Sequence, residues 1–216
     1  MNIITVEDIT KSFGEVTVLD HVNLTVDEGT IVGIRGRNGS GKTILLKIIC
    51  GLMLPTTGTV QVQGERIGKD RDFSANTGIL IETPEFLPYQ SGYQNLHSIS
   101  LISGQLGREE IRDVIRLVGL DPDSRKPVGK YSLGMRQRLG IAQAIMEHPK
   151  LLLLDEPMNG LDKSGVQDMR ELFLHLKEEG TTILLASHIA EDLEKLCDQV
   201  YEIDCGVMTK TEGNCK

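Results

Sequence analysis

The chain has 216 residues, with 31 acidic and 23 basic side chains and a formal net charge of −8. No stripe of Lys and Arg interleaved with aromatic residues accompanies this charge, which argues against a broad nucleic-acid surface, and we expect no nucleic-acid partner. No apolar run is long enough to span a bilayer, and the N-terminus has no basic region followed by a hydrophobic segment, so neither a membrane span nor an export signal is expected. The cysteines lack metal-ligand spacing and are expected as free thiols: Cys50, Cys197, Cys205 and Cys215.

Periodicity predicts one α/β domain over residues 1–216 with two smaller subdomains. β-Branched and polar residues alternate over about residues 1–30 and again over 58–68, which predicts an antiparallel β subdomain. Residues from about 86 to 147 are mostly helical, with Gly and Pro breaks, and form the predicted α-helical subdomain. Short apolar strands separated by helices predict a parallel core sheet, with strands near residues 31–34, 78–82, 151–155 and 182–186.

A phosphate-binding loop follows the first core strand. The motif G-x-x-x-x-G-K-[ST] is formed by Gly36, Arg37, Asn38, Gly39, Ser40, Gly41, Lys42 and Thr43. The glycines allow backbone N–H groups to turn toward a polyphosphate, Lys42 can reach the β and γ phosphates, and the Thr43 hydroxyl is the expected Mg²⁺ ligand. The following helix directs its N-terminal dipole at the phosphates. The Arg37 side chain itself is better explained as a solvated surface charge than as a phosphate contact.

The third core strand ends in two carboxylates. Four leucines precede Asp155 and Glu156, as expected for a buried parallel strand whose C-terminal end opens into a site. Asp155 is the acidic partner of Thr43 for Mg²⁺, directly or through water. Glu156 is placed to polarise or orient the attacking water. Together with the phosphate-binding loop, this pair indicates hydrolysis or transfer of a nucleotide γ-phosphate.

A capped helix lies between the two halves of this site. Ser132 is the predicted N-cap, Gly134 leaves the helix N-terminus open, and apolar residues recur at helical spacing after it. In isolation an ordinary capped helix explains the pattern. Its position before the Asp155 strand resembles the signature sequence of the ATP-binding cassette (ABC) family, whose usual form is L-S-G-G-Q.

Three further segments are similar to motifs of that family. Residues 159–162, ending at Asp162, resemble its D-loop, and His188 after the strand ending near Ala186 resembles its switch histidine. Phe13 occupies the place of the aromatic residue that stacks on adenine. The resemblance extends from about Val6 to Gly206. It implies a P-loop NTPase fold with a RecA-like parallel core sheet, ATP and Mg²⁺ as cofactors, and a contact from His188 to the γ-phosphate.

The resemblance also implies the partners. Two cassettes, either identical copies or homologues, close head to tail, so that ATP on the loop of one is covered by the other. The covering residues are Ser132, Gly134, Met135 and Asp162. Because no span is predicted, the pore would be a separate integral membrane permease, which holds the cassette at the cytoplasmic face of the membrane. The segment after Glu82, with Tyr89 and Tyr93, is a candidate groove for that permease, although both rings could equally anchor the helical subdomain.

Two departures from the family pattern are informative. Glu82 stands where a glutamine usually touches Mg²⁺ and water, and a carboxylate there is tolerable only if a metal or a base compensates its charge. Leu133 replaces a common glycine of the signature. Both features resemble the ATPases that serve bacitracin, lantibiotic and other bacteriocin self-protection exporters, so an antimicrobial peptide or drug is the expected cargo.

Other members of the superfamily remain alternatives. An importer subunit fits the same motifs, and so does a soluble ABC ATPase acting on nucleic acid or the ribosome. The chain lacks the long coiled coil of chromosome-maintenance members and the second cassette of ribosome-associated members. A small-molecule kinase would leave the signature and the D-loop unexplained.

Overall fold

The computed structural model describes residues 1–104 and 106–211. Its first half contains β1 (Asn2–Phe13), β2 (Val16–Asp27), β3 (Ile31–Arg35), α1 (Lys42–Cys50), β4 (Thr57–Val62), β5 (Glu65–Arg66), β6 (Thr77–Leu80) and α2 (Gly92–Ser103). Its second half contains α3 (Arg108–Leu117), a 3₁₀ turn (Val128–Lys130), α4 (Leu133–Ile145), β7 (Leu151–Asp155), α5 (Lys163–Glu178), β8 (Thr182–Ser187), α6 (Ala190–Leu196), β9 (Gln199–Asp204) and β10 (Val207–Lys210).

The first sheet is antiparallel and has the strand order β2-β1-β4-β5. Val6 on β1 lies opposite Leu24 on β2 and Val60 on β4, and all three side chains are buried. Because side chains alternate across a strand, these apolar positions form one face of the sheet. This face packs against α1 and one side of the second sheet, so it covers the helix that carries the phosphate-binding loop.

The second sheet is the core of the molecule and has the strand order β10-β9-β3-β8-β7-β6. The pairs among β9, β3, β8, β7 and β6 are parallel, and β10 is antiparallel to β9. Leu151 and Leu153 pack on the α1 side, whereas Leu152 and Leu154 pack on the side of the remaining helices. A strand buried on both faces explains the unbroken leucine run. The predicted fold class is confirmed.

One strand boundary and two additional strands differ from the sequence-based prediction. The strand expected over residues 78–82 ends at Leu80, so Glu82 lies in the following loop with a φ of 61°. The sheet also continues beyond β3 through β9 and β10, which the sequence reading did not resolve as strands. The boundaries proposed for the two subdomains remain predictions.

Two helices of the 86–147 segment, α2 and α4, begin at side-chain caps. Ser91 and Gln94 form a reciprocal capping box at α2, and the Ser132 hydroxyl accepts from the Met135 N–H at α4. Among the described helices, none is both long and apolar enough to cross a membrane. Cys50, Cys197 and Cys205 form no disulfide, and Cys215 lies outside the described residues.

Candidate nucleotide site

The C-terminal ends of the parallel strands meet at one edge of the core sheet. Arg35, at the end of β3, pairs with Ser187 on β8, and Asp155 on β7 pairs with Ala186. This register places the phosphate-binding loop beside the carboxylates, with His188 following β8. A cavity of about 400 Å³ opens there, and it is lined by Val18, Asn38, Gly39, Gly41, Lys42, Thr43, Ile44, Asp155 and Glu156.

The phosphate-binding loop is closed tightly at its first glycine. A Cβ at Gly36 would lie 2.5 Å from Ser40 Oγ and 2.6 Å from the Ile203 carbonyl oxygen. Gly41 has a φ of 107°, which L side chains rarely adopt. The loop therefore requires glycine at both positions.

Lys42 is buried within the loop, and its charge is fixed by three contacts. Its Nζ donates to the carbonyl oxygens of Gly36 at 2.7 Å and of Arg37 at 3.1 Å, and it lies 3.4 Å from Glu156 Oε1. The Arg37 side chain is exposed, in agreement with a solvated charge. The cavity thus holds an oriented ammonium group beside the backbone of the loop.

Thr43 and Asp155 form the pair that the sequence assigned to Mg²⁺. Thr43 Oγ1 donates to Asp155 Oδ2 at 2.5 Å, while Asp155 Oδ1 is buried without a hydrogen-bond partner. Burial raises the pKa of Asp155, as do the charges of Glu156 and Glu82, whereas the Thr43 hydrogen bond and Lys42 oppose the rise. A hydroxyl beside a buried carboxylate with a free oxygen fits a hard divalent cation. The Ser40 Oγ in the same loop is also buried without a partner.

Glu156 and His188 are brought together by the ends of β7 and β8. Glu156 Oε2 lies 2.9 Å from His188 Nδ1, and the Glu156 N–H donates to the Ala186 carbonyl at 2.8 Å. Glu156 has a φ of 48°, in the left-handed region that is uncommon for non-glycine residues. The buried Gln137 on α4 donates to the carbonyl oxygens of Glu156 at 3.3 Å and Pro157 at 3.0 Å. The backbone of Glu156 is therefore held from two sides.

Glu82 is paired with a base. Its Oε1 lies 2.6 Å from Nζ of Lys47, one turn along α1 from Thr43. A carboxylate at this position needs a metal or a base near it, and Lys47 is a base within ion-pair distance. The proposed contact of Glu82 with Mg²⁺ stays a prediction.

The signature segment lies away from the cavity of its own chain. Of the described residues that line the cavity, none belongs to the segment from Ser132 to Met135. Gly134 packs on the D-loop, residues 159–162, so closely that a Cβ at Gly134 would lie 2.7 Å from the Gly160 carbonyl oxygen. Leu133 is half exposed and packs on Gly160 as well. The Leu133 side chain, which stands where the family commonly has glycine, therefore connects the turn at Ser132 with the D-loop at Gly160.

Three remaining predicted residues occupy defined positions outside the cavity wall. Met135 is partly buried, with its sulfur 3.8 Å from Lys126 Nζ. Asp162 caps α5 by accepting from the Gly165 N–H, and this hydrogen bond lowers the pKa of Asp162. Phe13, at the end of β1, is 48% exposed, and the Lys11 ammonium lies over its ring, 5.0 Å from the ring centroid.

Sequence reasoning missed four residues that the structure adds to the site. Val18 and Ile44 supply apolar wall, and Gln137 and Lys47 support the carboxylates. Gln137 offered one signal, since it is a polar residue among the apolar positions of α4. Val18 and Lys47 offered none, because their contacts depend on how separate elements pack together.

A phosphate-binding loop at the end of one parallel strand, with an acidic pair at the end of another, defines a P-loop NTPase. The family model for ABC transporters matches residues 19–159. The chain belongs to the ABC transporter family, as an ATP-hydrolysing, ATP-binding subunit.

Curated relatives agree over almost the whole chain. An uncharacterized ABC transporter ATP-binding protein, YybJ of Bacillus subtilis, is 42% identical over 97% of this chain and 96% of its own length. The bacitracin transport ATP-binding protein BcrA of Enterococcus faecalis is 41% identical over 92% of this chain and 65% of its own length. The lantibiotic transport ATP-binding protein SrtF of Streptococcus pyogenes is 38% identical over 89% of this chain and 83% of its own length.

Solved structures confirm the fold. An ATP-binding subunit of an ABC transporter has a TM-score of 0.86 and 26% identity, covering 97% of this chain and 90% of the other. A dimeric cassette in a post-hydrolysis state with ADP and phosphate has a TM-score of 0.84 and 22% identity, covering 97% of this chain and 99% of that cassette.

Proposed function

We propose that the chain powers export of an antimicrobial peptide, such as a lantibiotic or bacitracin, or of a related drug, through a separate membrane permease. The relatives named for bacitracin and lantibiotic transport support this cargo class. The mechanism is supported by the composition of the cavity wall, which contains the phosphate-binding loop, Asp155 and Glu156 but no residue of the 132–135 segment. One cassette therefore provides half of an ATP site, and a second copy or a homologue provides the other half.

The groups in the cavity suit hydrolysis of a γ-phosphate. Lys42 and the loop N–H groups hold the phosphates, and Thr43 and Asp155 are the residues that would hold Mg²⁺. That ion supplies positive charge which offsets the phosphate oxygens. Glu156 accepts the proton of the attacking water as its oxygen bonds to the γ-phosphorus, and the bond to the bridging oxygen breaks to release ADP. His188 orients Glu156 through the contact of 2.9 Å.

ATP would act as the bridge between two cassettes. Its phosphate charge is offset on the far side by the α4 N-terminus of the partner, with Ser132 and Gly134 at the contact. Phe13 would stack on the adenine. Hydrolysis removes the bridge, so the two cassettes separate and the permease returns to its resting state.

The permease would bind at the loop after Glu82, on the cytoplasmic side of the membrane. Tyr89 is 74% exposed, whereas Tyr93 packs against the helical core and stacks on His97 with ring centroids 5.7 Å apart. These contacts favour Tyr89 for the groove and an anchoring role for Tyr93. In cells that carry the permease, Tyr89→Ala is expected to reduce transport while the isolated cassette keeps its ATPase rate. Unchanged transport in Tyr89→Ala would remove this loop from the interface.

The shared site is tested by the solution mass of Glu156→Gln, measured by light scattering with and without Mg-ATP. We expect the mass to double only with ATP, because the site still binds ATP but turns it over slowly. Ser132→Arg in the same background should stay monomeric, since the added side chain blocks the covering surface. If Glu156→Gln binds ATP but remains a monomer at high concentration, then two cassettes do not dimerise on ATP alone when the permease is absent. Ordinary turnover in Glu156→Gln would remove Glu156 from the reaction.

A further inference from the structure

The carboxylates of Glu82 and Asp155 lie at the ends of neighbouring strands and are each held by a side chain of α1. The strands β6 and β7 are parallel neighbours, with Leu80 opposite Leu154. β7 ends at the carboxylate of Asp155, the carboxylate of Glu82 follows the end of β6, and the partner of each lies on α1. Asp155 accepts from Thr43, and Glu82 accepts from Lys47. Thr43 and Lys47 are four residues apart and so lie on one face of the helix.

The Glu82–Lys47 pair lies beside the cavity wall, one turn along α1 from Thr43, so its charges add to those that line the cavity. Glu82, Asp155 and Glu156 provide three carboxylates, and Lys42 and Lys47 provide two ammonium groups. Lys42 is committed to the loop carbonyls and to Glu156. Without Lys47, the three carboxylates would face one ammonium group at the place where a polyphosphate must bind.

We propose that Lys47 is a positioning residue that neutralises Glu82 and holds it away from the phosphates, so that this chain tolerates a carboxylate at the end of β6. The pair acts as one neutral unit beside the nucleotide, and Lys47 is needed only because Glu82 is present. The inference rests on the proposed ATP site in this cavity. It concerns the requirement for Lys47, and not whether Glu82 touches Mg²⁺.

The test is the equilibrium affinity for a non-hydrolysable ATP analogue with Mg²⁺, measured by titration calorimetry on the whole chain. Lys47→Gln is expected to bind about tenfold more weakly, because the unpaired Glu82 carboxylate would repel the phosphates, and repulsion between nearby charges at an effective dielectric of about 20 has roughly that size. Glu82→Gln should bind as well as the original chain or better. The double variant Lys47→Gln with Glu82→Gln should return to within about twofold, and Lys47→Arg should retain affinity because it keeps the ion pair.

Two further measurements separate charge compensation from a structural effect. The deficit of Lys47→Gln should shrink as ionic strength rises, because salt screens partly exposed charges. Lys195→Gln is the control for loss of a surface lysine, since Lys195 pairs at 2.7 Å with Glu191 on α6, a helix that contributes no residue to the cavity wall. That variant should bind the analogue normally. The melting temperature without nucleotide should change little in either variant, because both ion pairs are partly exposed.

The outcomes that would overturn the proposal are specific. If the double variant binds as weakly as Lys47→Gln, then Lys47 acts on its own and does not compensate Glu82. If Lys47→Gln binds normally, the ion pair has no role at the site. Lys42→Ala distinguishes these results from a failure of the proposed function: an analogue that binds equally well to Lys42→Ala and to the original chain would not be using this cavity at all.

Discussion

The hydrogen bonds of Gln137 lead to a prediction about catalysis. This side chain is 6% exposed, and its Nε2 reaches the carbonyl oxygens of the two residues that follow β7, Glu156 and Pro157. The Glu156 carbonyl also accepts from the Asn159 N–H at 3.1 Å. Gln137 therefore ties α4 to the turn that carries Glu156, the proposed catalytic carboxylate.

Gln137→Met removes both hydrogen bonds and keeps the side-chain volume nearly constant. A net contribution of about 1 kcal/mol for each hydrogen bond predicts a loss of about 2 kcal/mol in the free energy of unfolding. Since Glu156 would lose part of its support at a φ of 48°, kcat is expected to fall roughly tenfold. ATP affinity should be nearly unchanged, because Lys42 and Thr43 are untouched.

Urea unfolding measures the free energy of unfolding. Steady-state ATPase assays measure kcat, and calorimetry measures the ATP affinity. Gln143→Met is the control, because Gln143 lies on the same helix but lines a different cavity. A Gln137→Met variant that is less stable yet keeps the original kcat would show that the hydrogen bonds hold the helical subdomain without positioning Glu156. Weaker ATP binding with an unchanged kcat would contradict the argument in the same way.

Three further single variants test two positions of the site and one buried ion pair outside it. Gly36→Ala should lose ATP binding and about 1 to 3 kcal/mol of stability in urea unfolding, since its Cβ would lie 2.6 Å from the Ile203 carbonyl oxygen. Asp155→Asn should raise the melting temperature without nucleotide. Because the pKa of Asp155 is raised in the folded state, the protonated side chain is tolerated at low pH, and the ionised side chain destabilises the fold as pH rises. The gain in melting temperature should therefore be larger at pH 8 than at pH 4, and an equal gain would contradict this. Arg170→Met leaves the buried Asp192 without its partner and should cost about 3 to 5 kcal/mol in urea unfolding, most of which Asp192→Leu should restore in the double variant.

The sequence predicts the local parts of the site because each depends on near neighbours. The phosphate-binding loop needs glycine at particular positions, and the leucine run before Asp155 indicates a strand buried on both faces. The Ser132 cap depends on a hydroxyl placed before a helix, and the Met135 N–H that it binds is three residues away. The convergence of β3, β7 and β8 also follows, because the C-terminal ends of parallel strands share one edge.

Contacts between separate elements were not predictable in this way. The pairing of Lys47 with Glu82 depends on the rotation of α1 over the end of β6, and periodicity does not fix that rotation. The pairing of β9 with β3 joins residues that are far apart in the chain and requires the full strand order. The sequence predicts a strand that reaches Glu82, because Ile81 continues the apolar run, but the strand in the structure ends two residues earlier at Leu80.

The contacts of α4 and α5 indicate how one cassette could connect its two half-sites. The α4 helix is capped by Ser132, the proposed covering residue, and it contacts the Glu156 turn through Gln137, about one turn further along. The loop after Glu156 leads to Asp162, which caps α5, and Gly134 packs on the same loop at Gly160. A shift of the Glu156 turn is therefore expected to displace the surface at Ser132 that we propose a partner cassette meets. Because cores and packed interfaces deform little without repacking, the two half-sites of one chain are expected to move as a unit.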